Sequence, residues 1–141
     1  MELQELLDIP HTLIGSRALG INTEESDYDL VIHINDLPRY LLDRVINIDL
    51  SLARYFNLLP KHGNGHILRG FTGASGNSKV DIIALESQED INIIKQSLED
   101  LKQCPYYMLK NKQTRINLFE TALKNYGFTE PVQTELDKIS Y

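Results

Sequence analysis

The chain has 141 residues, of which 42% are hydrophobic, and its 14 Lys and Arg against 20 Asp and Glu give a formal net charge of −6. The length and apolar content suit one domain with a buried core. The acidity argues against a nucleic-acid-binding surface that covers the domain as a whole, because such a surface needs an excess of Lys and Arg.

The sequence also indicates where the protein resides. Cys104 is the single cysteine, which excludes an internal disulfide and favours a reducing compartment. No apolar run approaches the roughly 20 residues that cross a bilayer. The chain opens with Glu2 and Glu5 rather than with the basic region of a signal peptide. We therefore expect a cytoplasmic protein that does not insert into a membrane.

In chain order, apolar spacing and turn residues predict an α/β or α+β domain, with a small mixed sheet and helices packed mainly on one face. The expected strands are 11–14, 27–34, 66–72 and 79–85, and the expected helices are 2–8, 17–20, 36–60 with a break near Asn47, 87–101 and 106–126. The glycine-rich stretch 73–78 is expected to be the turn of a hairpin. Ser16 and Ser87 are expected to cap the helices that follow them, and Asp90 to complete a partial capping box with Ser87.

Two aspartates begin the second predicted strand. Asp27 and Asp29 point to the same face, because residues two apart in a strand share a face, whereas Tyr28 points to the other. The predicted hairpin brings Asp81 beside them on a neighbouring strand. Carboxylates placed side by side repel one another unless hard cations lie between them. The three aspartates therefore outline a two-metal phosphoryl-transfer site.

The turn after the first strand has two interpretations. Gly15 would let a triphosphate approach closely, and the backbone amides at the start of the following helix would favour phosphate. Alternatively, the segment is a plain strand-to-helix turn.

Other polar residues also have two interpretations. His33 shares the face of the aspartates by parity, but a structural histidine is favoured. His62 and His66 are four residues apart, yet the glycines between them argue against a helical zinc pair. The basic residues of the last helix are Lys110, Lys112 and Arg115; they form either a solvated face or a site that neutralises a triphosphate or an acceptor nucleic acid.

The ordered set of Gly15-Ser16, Asp27-x-Asp29 and the Asp81 strand resembles the polymerase-beta-like nucleotidyltransferase superfamily. The small branch of minimal nucleotidyltransferases found in bacteria and phages is the most similar, because the sequence reads GSRALG at 15–20 and SDYD at 26–29. The resemblance covers residues 13–85, about half the chain. It implies a single minimal nucleotidyltransferase domain over 1–141, with two C-terminal helices (about 87–126) packed on its core.

The resemblance also implies an activity and a set of site residues. Such a protein moves a nucleoside monophosphate from an NTP, such as ATP, to an acceptor hydroxyl with two Mg²⁺ ions, which Mn²⁺ can replace. By this resemblance, the metal-binding and catalytic residues are Asp27, Asp29 and Asp81, and the nucleotide-binding residues are Gly15, Ser16, Arg17, Lys110 and Arg115.

The acceptor and the activity itself stay open at this point. Larger members of the superfamily have a further domain that selects base and acceptor, whereas 141 residues leave only two C-terminal helices for this task. The acceptor is a protein, an RNA or a small molecule. The alternatives to a transferase are an antitoxin-like protein that binds or adenylylates a partner protein, and an inactive nucleotide-binding relic.

Overall fold

The structure, a computed structural model, describes residues 3–48, 52, 56–72 and 79–131. The strands within these residues are β1 (Thr12–Ile14), β2 (Tyr28–His33), β3 (Gly65–Thr72) and β4 (Lys79–Leu85). The helices are α1 (Leu3–Leu7), α2 (Gly15–Ala18), α3 (Arg39–Ile48), α4 (Gln88–Lys102), α5 (Tyr106–Leu109) and α6 (Lys112–Asn125), and a 3₁₀ turn occupies Ile34–Asp36. None of the helices in these residues is long and apolar enough to cross a membrane.

The four strands form one mixed sheet in the order β1-β2-β4-β3. β1 and β3 lie at its edges and run antiparallel to their neighbours, whereas the central strands β2 and β4 are parallel. The mixed sheet and the α+β class were predicted correctly, and so was the antiparallel pairing of β3 with β4. The connecting turn, 73–78, lies outside the described residues.

Helices pack on both faces of the sheet, and the prediction of helices mainly on one face is wrong. Leu30 and Ile32 of β2 belong to a buried cluster that includes residues of α1 and α3. Val31, which lies between them, belongs to a second cluster with residues of α4 and α6. The central strands are apolar on consecutive residues because parallel strands are covered on both sides. The run 30–32 and the run 82–85 are buried throughout.

The start of α4 differs from the predicted capping box. Ser87 precedes the helix but its side chain makes no capping hydrogen bond. Asp90 is fully buried, and its carboxylate accepts hydrogen bonds from the backbone N–H groups of Lys61, His62 and Gly63 at 2.9–3.1 Å. A buried carboxylate needs such donors. Asp90 therefore fixes the loop before β3 to the start of α4.

The last predicted helix is two helices. Asn111 begins α6, and its side-chain oxygen accepts a hydrogen bond from the Thr114 N–H at 2.9 Å. Arg115 donates from Nη1 to the carbonyl of Leu109, the last residue of α5, at 2.8 Å. These bonds satisfy groups that helix ends leave without partners. The Asn cap and the Arg115 contact thus explain the break.

The predicted helix 36–60 is described only in part. A helix is present over Arg39–Ile48, and the Phe56 N–H donates to the Leu52 carbonyl at 3.2 Å. Residues 49–51 and 53–55 lie outside the described residues.

Candidate active site

The three predicted aspartates line one cavity of about 290 Å³ on the face of the sheet that α4 and α6 cover. Asp27 and Asp81 are 54 positions apart in sequence, so the fold has brought them together. The polar residues of the wall are Asp27, Asp29, Asp81, Arg69, Lys112, Arg115 and Glu120. Gly15 also lines the cavity, and apolar residues, Phe119 among them, complete it. The cavity is thus charged and apolar at once, as ligand sites commonly are.

Strand pairing sets two of the carboxylates side by side. Asp29 and Asp81 are register partners in the parallel pair β2–β4, so their side chains leave the sheet on the same face. Asp27 immediately precedes β2 and is exposed, whereas Asp29 and Asp81 are half-buried. The two strand aspartates are therefore fixed by the sheet, and Asp27 depends on the loop before it.

The charges around Asp81 oppose one another. Burial is the main cause that raises the pKa of Asp81 above its ordinary value, and the nearby negative charge of Asp27 raises it further. The positive charges of Arg69 and Lys79 lower it, but the net direction is upward. Asp81 is therefore harder to ionise than an ordinary aspartate, chiefly because it is partly buried.

No three His, Cys, Asp or Glu side chains in the described ranges meet closely enough to hold a metal ion. The aspartates share a wall of the cavity without converging on one point. Their donor chemistry still suits Mg²⁺, which takes carboxylate oxygens together with water and phosphate oxygens rather than a complete protein cage.

Gly15 has a structural reason to be glycine. Its φ is +76°, a conformation that costs a residue with a Cβ about 1–2 kcal/mol. A Cβ built at this position would overlap the Asp29 Oδ2 atom, with the Asp29 Cγ at 3.4 Å. Gly15 therefore makes room for a site carboxylate. Whether it also makes room for a phosphate stays a prediction.

Ser16 does not have its predicted capping role. The short helix α2 begins at Gly15, so Ser16 lies within it, and no side-chain hydrogen bond caps the helix. Its carbonyl accepts from the Ile21 N–H at 3.1 Å, and Ser16 is not part of the cavity wall.

Arg17 holds the loop that carries Asp27. Its Nε and Nη2 donate to the carbonyls of Ser26 and Glu24, each at 3.1 Å, and its guanidinium lies 3.9 Å from the centroid of the Tyr28 ring. Ser26 and Tyr28 are the two neighbours of Asp27 in sequence. Arg17 is not among the cavity-lining residues. The structure therefore places Arg17 as support for Asp27, and its contact with a nucleotide stays a prediction.

Helix α6 supplies the opposite wall. Lys112, Arg115, Ile116 and Phe119 lie at helical spacing along one side of α6 and all line the cavity. Arg115, predicted to bind the nucleotide, is therefore on the cavity wall, and its contact with a nucleotide stays a prediction. Lys110 lies before α6, is exposed, and is not part of the wall.

Sequence reasoning missed two charged residues of the cavity. Arg69 is on β3 and acts electrostatically on Asp81. Its position on the hairpin partner of the Asp81 strand was a usable signal. Glu120 lies on α6 directly after Phe119, and burial raises the pKa of Glu120 above its ordinary value. Nothing in the local sequence distinguished it from a solvated carboxylate.

The histidines lie outside the cavity wall. His33 ends β2, and its Nδ1 accepts from the Asn35 N–H at 3.1 Å, so it has the structural role that was favoured. His62 Nδ1 is 3.0 Å from Glu89 Oε2, and His66 Nε2 is 3.7 Å from Glu86 Oε2. The two histidines thus pair with different glutamates.

Comparison with known proteins adds no relative to this description. No family model, curated protein or solved structure matches the chain. The function must therefore be argued from the cavity and its chemistry.

We expect Gly15→Ala to destabilise the protein more than Gly20→Ala does. Gly20 is a matched control because its φ is +72° and a Cβ there would meet no described atom within 4 Å. Gly20→Ala should cost about 1 kcal/mol for the backbone conformation alone. Gly15→Ala should cost about 1–3 kcal/mol more, because Asp29 must be displaced. Urea unfolding of both variants measures the difference, and equal costs would contradict the contact between Gly15 and Asp29.

We also expect Asp81→Asn to be at least as stable as the parent at neutral pH. A carboxyl whose pKa is raised on folding binds its proton more tightly in the folded state, so stability falls as pH rises from the unfolded pKa through the folded one. Asparagine does not ionise, so the variant does not lose stability in this way as the pH rises.

The advantage of Asp81→Asn should disappear as the pH falls below the ordinary aspartate pKa of 3.8. Free energies of unfolding across a pH series measure it, with Asp43→Asn on the exposed side of α3 as the control. A variant that is less stable than the parent at neutral pH and equal to it in acid would contradict the direction of the shift.

Proposed function

We propose that this chain is a nucleotidyltransferase, which moves a nucleoside monophosphate from an NTP to an acceptor hydroxyl and releases pyrophosphate. The observation that carries the proposal is that Asp27, Asp29 and Asp81 all line one cavity that also has basic side chains on its walls. Carboxylates at one end and cations nearby fit a metal-bound triphosphate better than they fit a neutral metabolite.

The anionic end suits divalent cations. Asp27, Asp29 and Asp81 would hold Mg²⁺, or Mn²⁺ in its place, and two such ions are proposed by analogy with the resemblance. Burial is the main cause of the raised pKa of Asp81 and the negative charge of Asp27 is a smaller one, and a divalent cation between these carboxylates would offset their repulsion. At such a site the metal lowers the pKa of a hydroxyl and neutralises charge on the transferred phosphate.

The chain's own residues would orient the substrate and move the proton. Asp81 would accept the proton of the acceptor hydroxyl, whose pKa a bound metal ion would lower. Arg115 and Lys112 would bind triphosphate oxygens across the cavity, and Arg69 would add charge near Asp81. Arg17 would keep Asp27 in place through the carbonyls on its loop.

Labelled nucleotides test the proposal. The protein is incubated with each of the NTPs, labelled at the α-phosphate, with Mg²⁺ and a cell extract that supplies acceptors. We expect one NTP to transfer label. Asp29→Asn should abolish both transfer and NTP binding, whereas Asp81→Asn should keep NTP affinity but lose about 10²-fold or more of the rate.

The control is Asp43→Asn, an exposed carboxylate on α3 outside the cavity wall, which should transfer label at the parental rate. Transfer that survives both Asp29→Asn and Asp81→Asn would reject the proposed site. Failure of every NTP to label any acceptor would reject the transferase.

A further inference from the structure

One stretch of the chain is basic although the whole chain is acidic. Residues 101–119, here called the basic segment, contain four Lys and Arg and no Asp or Glu, in a chain with a net charge of −6. The segment covers the end of α4, all of α5 and half of α6. Asp100 and Glu120 flank the segment and Lys102 lies 3.0 Å from Glu99, so its positive charge comes mainly from Lys110, Lys112 and Arg115.

The basic segment also exposes two adjacent aromatic rings. Tyr106 and Tyr107, the first residues of α5, are 65% and 67% exposed. Leu109 in the same helix is buried, so α5 is anchored while its tyrosines face solvent. Tyr106 and Lys110 are four residues apart, which puts a ring and an ammonium group on the same side of this turn.

The exposed part of the segment is connected to the cavity through the start of α6. Lys112 and Arg115 line the cavity, and Arg115 also donates to the Leu109 carbonyl at 2.8 Å. Asn111, which caps α6, follows Lys110 at the end of α5 directly. Lys110, which follows α5 directly, is thus two residues from a cation of the cavity wall, Lys112.

We propose that the basic segment binds a single-stranded nucleic acid and that the acceptor is the hydroxyl at its end. Bases would stack on Tyr106 and Tyr107, and Lys110 would bind a backbone phosphate just outside the cavity. The part of this inference that concerns the acceptor hydroxyl rests on the proposed function. The binding of the strand to the basic segment does not depend on it. An acidic peptide would satisfy the cations without using two adjacent rings, so the aromatic pair favours a nucleic acid.

Fluorescence anisotropy tests the binding without NTP or metal. The probe is a labelled single-stranded RNA or DNA of about a dozen nucleotides, within the usual site size for such surfaces. The double variant Tyr106→Ala/Tyr107→Ala should bind it about 10-fold or more weakly than the parent, because base stacking is lost. Lys110→Ala should reduce the slope of the logarithm of the binding constant against the logarithm of the salt concentration by about 1, because one phosphate contact is lost. All three positions are exposed, so folding should be unaffected.

The matched control is Tyr40→Ala, which removes a tyrosine that is 51% exposed on α3, outside the basic segment. It should bind the probe as the parent does. Parental binding by the double tyrosine variant, or no binding of either probe at low salt, would overturn the inference. So would tight binding of polyglutamate with no binding of the oligonucleotides, because the surface would then belong to a protein partner.

The outcomes separate this inference from the proposed function. Tyrosine-dependent binding with no transfer of label to the strand would leave the inference standing and count against the transferase. Transfer of label to a protein, with no oligonucleotide binding, would support the transferase and overturn the inference.

Discussion

The parallel pairing of β2 with β4 is the constraint on which the rest of the structure depends. It sets Asp29 opposite Asp81 on one face of the sheet and leaves two apolar faces that must both be covered. The shorter helices α1 and α3 cover one face. The longer helices α4 and α6 cover the other, and α6 thereby forms the second wall of the cavity. The core and the candidate site thus follow from the same strand register.

Local contacts then position the carboxylates of the cavity. Gly15 leaves space that the Asp29 carboxylate occupies, and Arg17 binds the loop on both sides of Asp27. Asp81 stays difficult to ionise, because burial and Asp27 outweigh the effect of Arg69. Gly15 and Arg17, which the resemblance assigns to the nucleotide, therefore also have structural roles within the protein.

The sequence was most informative where the pattern is local. Alternation placed the strands and put Asp29 and Asp81 on comparable faces, and the short polar segment before β4 indicated the hairpin. Caps were less predictable, because the partner of Asp90 is a loop almost 30 residues away, which no local pattern contains. The roles of Lys112 and Glu120 depend on how α6 crosses the sheet. Continuous apolar runs in β2 and β4 did contain a signal for helices on both faces, which was overlooked, as was the position of Arg69 on the strand that pairs with β4.

The central claim is that Asp29 and Asp81 hold a metal ion together with a nucleotide. Anomalous diffraction from crystals grown with Mn²⁺ and a non-hydrolysable NTP analogue tests it most directly, because the signal locates the metal without reference to activity. The account predicts manganese density against the Asp29 and Asp81 carboxylates, with phosphate oxygens completing the shell. Manganese at His62 and His66 instead, or nucleotide bound with no metal at these aspartates, would contradict it.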